Sequence, residues 1–250
     1  YPYAGNLGGG GFMVYRKANG EVGSLDYREK APLAATKNMF LDKDGNVIPG
    51  KSTETPLAIG VPGTIAGVFA VHKKFGSLPI SEILKPVIAL AEKGVVVTLK
   101  QQKQLENYRD AIIKANGPTT LMAGKFKEGD TIKYPALAST LKRILKGGKD
   151  EFYKGKTAQI LVDYLKKKGG IITLKDLASY EAKWRNPLQF DYKDLKITSM
   201  APPSSGGICL AQILKMITPF YLSKMGHNSE QSIQVIVEAE RRAYADRSQF

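Results

Sequence analysis

Four consecutive glycines, Gly8 to Gly11, run directly into Phe12-Met13-Val14-Tyr15, and this junction constrains the chain more than any other stretch. Without a Cβ, a glycine backbone takes positive φ at no steric cost and lets another backbone or a ligand approach closely, at the expense of extra entropy lost on folding. The residues that follow are apolar on both faces of a strand. Asn19-Gly20 is a two-residue turn signal, and a returning strand is predicted over 22–28. The reading is a β-hairpin covered on both sides. Successive strand residues face opposite ways, so Asp26 and Arg28 share one face and Tyr27 takes the other. Arg28 therefore stands at a strand end, and Pro32 discourages further ladder pairing beyond it.

With 250 residues and 43% hydrophobic content, the chain is able to bury a sizeable core. No apolar run reaches the roughly 20 residues of a membrane span, and Tyr1-Pro2 opens neither a basic nor an apolar signal region. The chain begins without Met inside a motif and ends at Phe250 inside a helical pattern, so both ends read as cut. A single cysteine, Cys209, excludes an internal disulfide and a cysteine-built metal site, while His72 and His227 are too few and too isolated for zinc. Neither a metal nor a cofactor is expected. The net charge of +14, from 37 Lys and Arg against 23 Asp and Glu, favours anionic partners at long range. Most of these cations are lysines spread along helices, with no helix-turn-helix, zinc-finger or aromatic RNP pattern, which argues against nucleic acid. A non-catalytic basic binding module stays open as an alternative, and its affinity would fall steeply with salt.

The run Gly45 to Ser52 matches the spacing of a phosphate-binding loop, but Pro56 would interrupt the required helix within its first turns. It reads as turn chemistry. Helices are predicted over 62–75, 81–93, 98–115, 135–147, 156–168 and 173–181, with Ser81 and Gly94 capping the second and Thr173 with Asp176 forming a capping box. His72, beside Lys73 and Lys74, reads as a solvated or locally bonded side chain. Strands follow over 184–192 and 195–200, turning at Lys193-Asp194. Pro202-Pro203-Ser204-Ser205-Gly206-Gly207 then leads into a helix over 208–221, and a last helix runs over 229–250. The first of these helix starts has N–H groups able to hold an anion, although Ser and Gly are favoured there for local reasons as well. The fold class is α+β: a hairpin with its glycine run over 1–32, a mostly helical part over 60–181, and strands then helices over 184–250. No repeat or flexible linker divides it, so residues 1–250 are expected to be one incomplete domain, its sheet edges covered by another polypeptide.

Glycine run, strand, turn, strand and Asp26-Tyr27-Arg28-Glu29 in that order resemble the large subunit of the γ-glutamyltranspeptidase (glutathione hydrolase) family. The likeness continues through Asn38 to Asp42, Gly60 to Gly67, Asp150 to Gly155, Pro202 to Gly207 and Ala243 to Ser248, and it is nearest to secreted bacterial members. The resemblance implies part of an αββα sandwich of the N-terminal nucleophile hydrolase type, completed by a small subunit cut from the same precursor. It implies transfer of a γ-glutamyl group from glutathione or another γ-glutamyl compound to water, an amino acid or a peptide. The acyl-enzyme forms on a threonine that begins the small subunit, and no part of this chain resembles that subunit. The chain alone is thus expected to be inactive, and the periplasm or the cell exterior is the implied compartment. Arg28 matches the family arginine that grips the substrate's α-carboxylate, a task suited to the planar guanidinium fork. A structural ion pair with Asp26 or Glu29 is the other reading of that arginine. Within the family, acylated β-lactams and poly-γ-glutamate are alternative substrates.

Overall fold

The hairpin forms where the apolar run and the turn residues place it. A computed structural model describes residues 6–249; Tyr1, Pro2, Gly5 and Phe250, together with the expected end of the last helix, lie outside the described residues. Strand β1 (Phe12–Arg16) pairs antiparallel with β2 (Val22–Asp26), setting Phe12 opposite Asp26 and Arg16 opposite Val22. The connection is longer than the two-residue turn expected at Asn19-Gly20. Lys17 N–H donates to the Glu21 carbonyl (2.8 Å) and Gly20 N–H to the Lys17 carbonyl (3.0 Å), so the loop takes in 17–21. Gly23, Ser24, Leu25 and Asp26 are buried, whereas β1 is half-exposed, so coverage on both sides belongs to β2.

The glycine run does not use its left-handed freedom, since Gly8, Gly9 and Gly11 all keep φ outside that region. Close approach explains Gly11, where a Cβ would sit 2.9 Å from the Tyr27 ring. Gly11 and Tyr27 also exchange both backbone hydrogen bonds, at 3.0 and 3.3 Å, extending the hairpin ladder by one pair.

The chain packs as two compact units, one made of residues up to Gly10 with Glu29–Glu181, the other of Gly11–Arg28 with Ala182 onward. The first is mainly helical. Lys30 and Val61 exchange backbone hydrogen bonds as an isolated bridge, and pairing stops there, ahead of Pro32. Helix α1 (Thr64–Phe75) starts two residues after Pro62, not with it. Its opening N–H groups have no partners within the helix. The Gly9 carbonyl accepts from Gly63 and Thr64 N–H (2.8 and 3.0 Å), and the Tyr153 hydroxyl accepts from Ala66 N–H (3.1 Å) while donating to the Pro62 carbonyl (2.9 Å). His72 on this helix is locally bonded, its Nε2 lying 2.8 Å from the Leu78 carbonyl.

Helix α2 (Ile80–Lys93) is entered from Pro79, so Ser81 lies inside the helix and not at its cap. A two-residue strand β3 (Val95–Val96) precedes α3 (Leu99–Asn116), whose cap Thr98 accepts from Gln101 N–H at 3.2 Å. Strand β4 (Thr131–Ile132) pairs with β3, a ladder too short to show alternation in a sequence. Helix α4 (Pro135–Tyr153) passes its expected end at 147 because the chain re-enters helix after a break at Gly148 (φ 65°, ψ −155°). Helices α5 (Lys156–Lys167) and α6 (Leu174–Ala178) follow, the latter opened by the expected Thr173–Asp176 capping box. One core cluster joins Ile88 and Ala91 of α2 to Ala138 and Leu141 of α4; a second gathers Val97, Leu105 and Ile132. Each large aliphatic side chain so buried contributes roughly 1.5–3 kcal/mol.

In the second unit the strand expected over 184–192 divides at Asn186-Pro187 into β5 (Lys183–Arg185) and β6 (Leu188–Tyr192). The halves join different sheets. β5 pairs with β2, giving the order β1-β2-β5, while β6 pairs with β7 (Leu195–Ser199) through the expected turn at Lys193-Asp194. Helix α7 (Gly206–Ile217) ends before Pro219, and α8 (Leu222–Met225) leads to α9 (Glu230–Arg247), where the Ser229 hydroxyl accepts from Ser232 N–H at 3.2 Å. α9 packs along α7. The fold is α+β, mostly helical with small sheets.

Candidate functional site

Arg28 lines a cavity of about 730 Å³ within the second unit, together with Pro202 to Ser205, Ile208, Cys209, Gln212, Asp246 and Arg247. Three stretches far apart in sequence therefore meet: the end of the hairpin, the turn into α7, and the last turn of α9. The hairpin end is held tightly. Asp26, only 9% exposed, accepts from Arg28 backbone N–H at 3.0 Å through Oδ1. Its Oδ2 receives the Arg185 guanidinium at 2.9 Å from Nε and 2.8 Å from Nη2. The ion pair expected between Arg28 and Asp26 as one option is thus made to Arg185, whereas Asp26 holds the backbone of Arg28. The Arg28 guanidinium lies 6.0 Å from the centroid of the Phe12 ring, and the residue is exposed.

The opposite wall is built at the start of α7. Ser205 stands at the helix cap but makes no side-chain cap; its hydroxyl instead accepts from Arg247 Nε at 2.7 Å. Gln212 Nε2 donates to Asp246 Oδ2 at 2.8 Å, a second polar tie between α7 and α9. Gly207 allows the entry to be this close: a Cβ there would lie 2.5 Å from the Met200 carbonyl oxygen. Cys209 is a buried thiol on the apolar side. The lining thus combines two guanidinium groups, a carboxylate, an amide and hydroxyls with an apolar wall, a set suited to orienting a small zwitterionic or anionic ligand.

The sequence singled out Arg28, the Pro202 to Gly207 turn and the Ala243 to Ser248 stretch separately. It gave no sign that the three line one cavity, and it missed Arg185, because a lone arginine on a short strand carries no motif.

A family model described as gamma-glutamyltranspeptidase matches residues 1–250, the whole chain. The chain belongs to the γ-glutamyltranspeptidase family. Within it, the glutathione hydrolase proenzyme of Escherichia coli is 41% identical over 254 residues, taking in 100% of this chain and 44% of the relative. The chain therefore spans less than half the length of that proenzyme. The crystal structure of Helicobacter pylori gamma-glutamyltranspeptidase superposes with a TM-score of 0.95 at 47% identity, covering 99% of this chain and 72% of that one. Cephalosporin acylase from Bacillus halodurans, 21% identical over 95% of this chain and 45% of its own, gives a TM-score of 0.79. That last likeness shows a shared fold and nothing more.

Proposed function

We propose that this chain forms the large-subunit part of a γ-glutamyltranspeptidase, which moves the γ-glutamyl group of glutathione or a related compound to water or an amino-acid acceptor. The observation that carries this reading is the position of Arg28, inside the family's match and on the wall of a cavity built from two further family stretches. Arg28 binds the α-carboxylate of the γ-glutamyl substrate through two parallel charge-assisted hydrogen bonds. The nucleophile is a threonine at the head of a small subunit from the same precursor. That threonine's hydroxyl attacks the γ-carbonyl, its free α-amine acts as base, and the amine of the leaving peptide departs before water or an acceptor amine takes the acyl group. Residues 1–250 act as one incomplete domain that the small subunit completes, and the periplasm or cell exterior is the compartment. Compared with a basic binding module, this reading is supported by a match along the entire chain.

The test uses the full-length protein and a chromogenic γ-glutamyl anilide. Arg28→Ala should lower kcat/KM by roughly 30-fold to several thousand-fold, the effect of about 2 to 5 kcal/mol for losing one partner of a desolvated charge pair. Arg28→Lys keeps the charge without the fork and should recover part of the loss. An Arg28→Ala enzyme of unchanged kcat/KM would remove Arg28 from the site.

A further inference from the structure

We infer that Asp26 and Arg185 are positioning residues, a buried carboxylate and its half-buried guanidinium partner, that aim Arg28 at the carboxylate of the substrate. The inference rests on the reading of Arg28 given above and extends it to two residues that do not line the cavity.

The geometry gives each carboxylate oxygen a separate task. Oδ1 of Asp26 accepts from Arg28 N–H two residues on (3.0 Å), which closes a local turn and fixes the backbone just before the chain leaves the sheet. Oδ2 is occupied by both Arg185 donors, at 2.9 and 2.8 Å. Register explains how Arg185 arrives there. On β5 it stands opposite Ser24, diagonal to Asp26 on the same face of β2, within reach of a long side chain. Ser24, 1% exposed, donates its hydroxyl to the Arg185 carbonyl at 3.0 Å and so pins that register.

A carboxylate this buried is costly without partners, and an ion pair in such a place is weak evidence of a stabilising role. An apolar pair would hold the sheet as well, but it could not present an acceptor to Arg28 N–H. Arg28 itself is exposed just past the last ladder pair, Gly11 and Tyr27, and Asp26 fixes the backbone from which its side chain springs. A reach of several bonds turns a small change at the backbone into a displacement of the guanidinium large enough to break bidentate contact.

The experiment uses the full-length enzyme and two substrates, a γ-glutamyl anilide and its 4-aminobutyryl counterpart, which is the same acyl group without the α-carboxylate. The measured quantity is the ratio of the two kcat/KM values. Arg28→Ala should collapse this ratio; Asp26→Ala should lower it by about tenfold or more, while kcat/KM for the 4-aminobutyryl substrate changes less than about threefold. In the Arg28→Ala background, Asp26→Ala should lower the ratio no further, because coupled residues fail to add. Should Asp26→Ala not fold, Asp26→Asn with Arg185→Gln keeps a neutral pair able to hydrogen-bond where Arg185 Nε stood, without the outer guanidinium contact. That variant should show the ratio partly restored relative to Arg185→Ala. If Arg28→Ala collapses the ratio but the Asp26 and Arg185 variants retain the wild-type value, the positioning role is wrong and the role of Arg28 stands. If Arg28→Ala itself leaves the ratio intact, the reading of the site falls first and the positioning role with it.

Discussion

Removing one atom, the hydroxyl oxygen of Tyr153, tests how the helical unit is held together. The side chain is 1% exposed, stacked on Tyr180 at 5.6 Å and edge-on to Phe152 at 5.0 Å, contacts that Tyr153→Phe leaves in place. What disappears is the pair of hydrogen bonds to the Pro62 carbonyl (2.9 Å) and from Ala66 N–H (3.1 Å). Both backbone groups would be buried without partners, and the void left by one oxygen is too small to admit water. An orphaned buried group costs about 1–3 kcal/mol, so the variant should lose about 2–4 kcal/mol of unfolding free energy. Urea titration of the full-length protein measures it, with Tyr164→Phe, an exposed ring that should change stability by less than about 0.5 kcal/mol, as control. Hydrogen exchange adds a local check, since the Ala66 amide should lose protection. Burial also pushes the Tyr153 phenol well above its usual value of 10.0, the accepted bond from Ala66 opposing this. A raised folded pKa means stability fully present below pH 10 and lost as pH rises beyond it, because the unfolded chain releases the proton first. Wild type should therefore lose stability above pH 10 faster than Tyr153→Phe. A urea-derived loss below about 0.5 kcal/mol, with Ala66 still protected, would refute the cap.

Asp176 accepts from Thr173 N–H and hydroxyl (2.8 and 2.6 Å) and from Leu33 N–H (2.7 Å); burial opposes its charge, yet these bonds hold its carboxyl below the usual range. Its contribution is present above the unfolded value near pH 4 and is lost as pH falls through the lower folded value, so Asp176→Asn should cost about 1.5–3 kcal/mol at pH 7. In acid-induced unfolding that gap should narrow below about pH 4; a constant gap would contradict the assignment. Gly207→Ala puts a methyl 2.5 Å from the Met200 carbonyl oxygen and 3.1 Å from Ser199 Oγ, and should destabilise by about 1–3 kcal/mol while raising KM, as thermal melts and steady-state kinetics would record. Residues 1–250 expressed alone should not turn over a γ-glutamyl anilide, whereas co-folding with the downstream sequence should restore turnover; activity from the purified fragment would place the nucleophile in this chain.

Local features were legible where the chemistry is local. The hairpin, the Thr173–Asp176 capping box and the turn at Lys193-Asp194 each depend on a few neighbouring residues, and the structure has all three. The failed phosphate loop was legible in the same way. Asp42 Oδ1 accepts from the N–H groups of Asn46 and Asp44, both at 2.9 Å, and the segment after Ser52 leads into a single 3₁₀ turn, Pro56–Ala58. The start of α2 went wrong because Ser81 has the right side chain for a cap, but Pro79 is already followed by helical backbone.

The sequence by itself determined the family and the hairpin, since these depend on residue order and on types with a narrow range of uses. Tertiary structure decided which strand Arg185 joins, and hence which arginine Asp26 binds. It also decided that the glycine run supplies a carbonyl to cap α1 and uses its close approach at Gly11, and not the positive φ that glycine equally allows. The physical reason is common to both cases. A buried carboxylate or an orphaned amide must find a partner, but the requirement names only a chemical type. Register and packing across more than fifty residues of intervening chain select the residue that meets it.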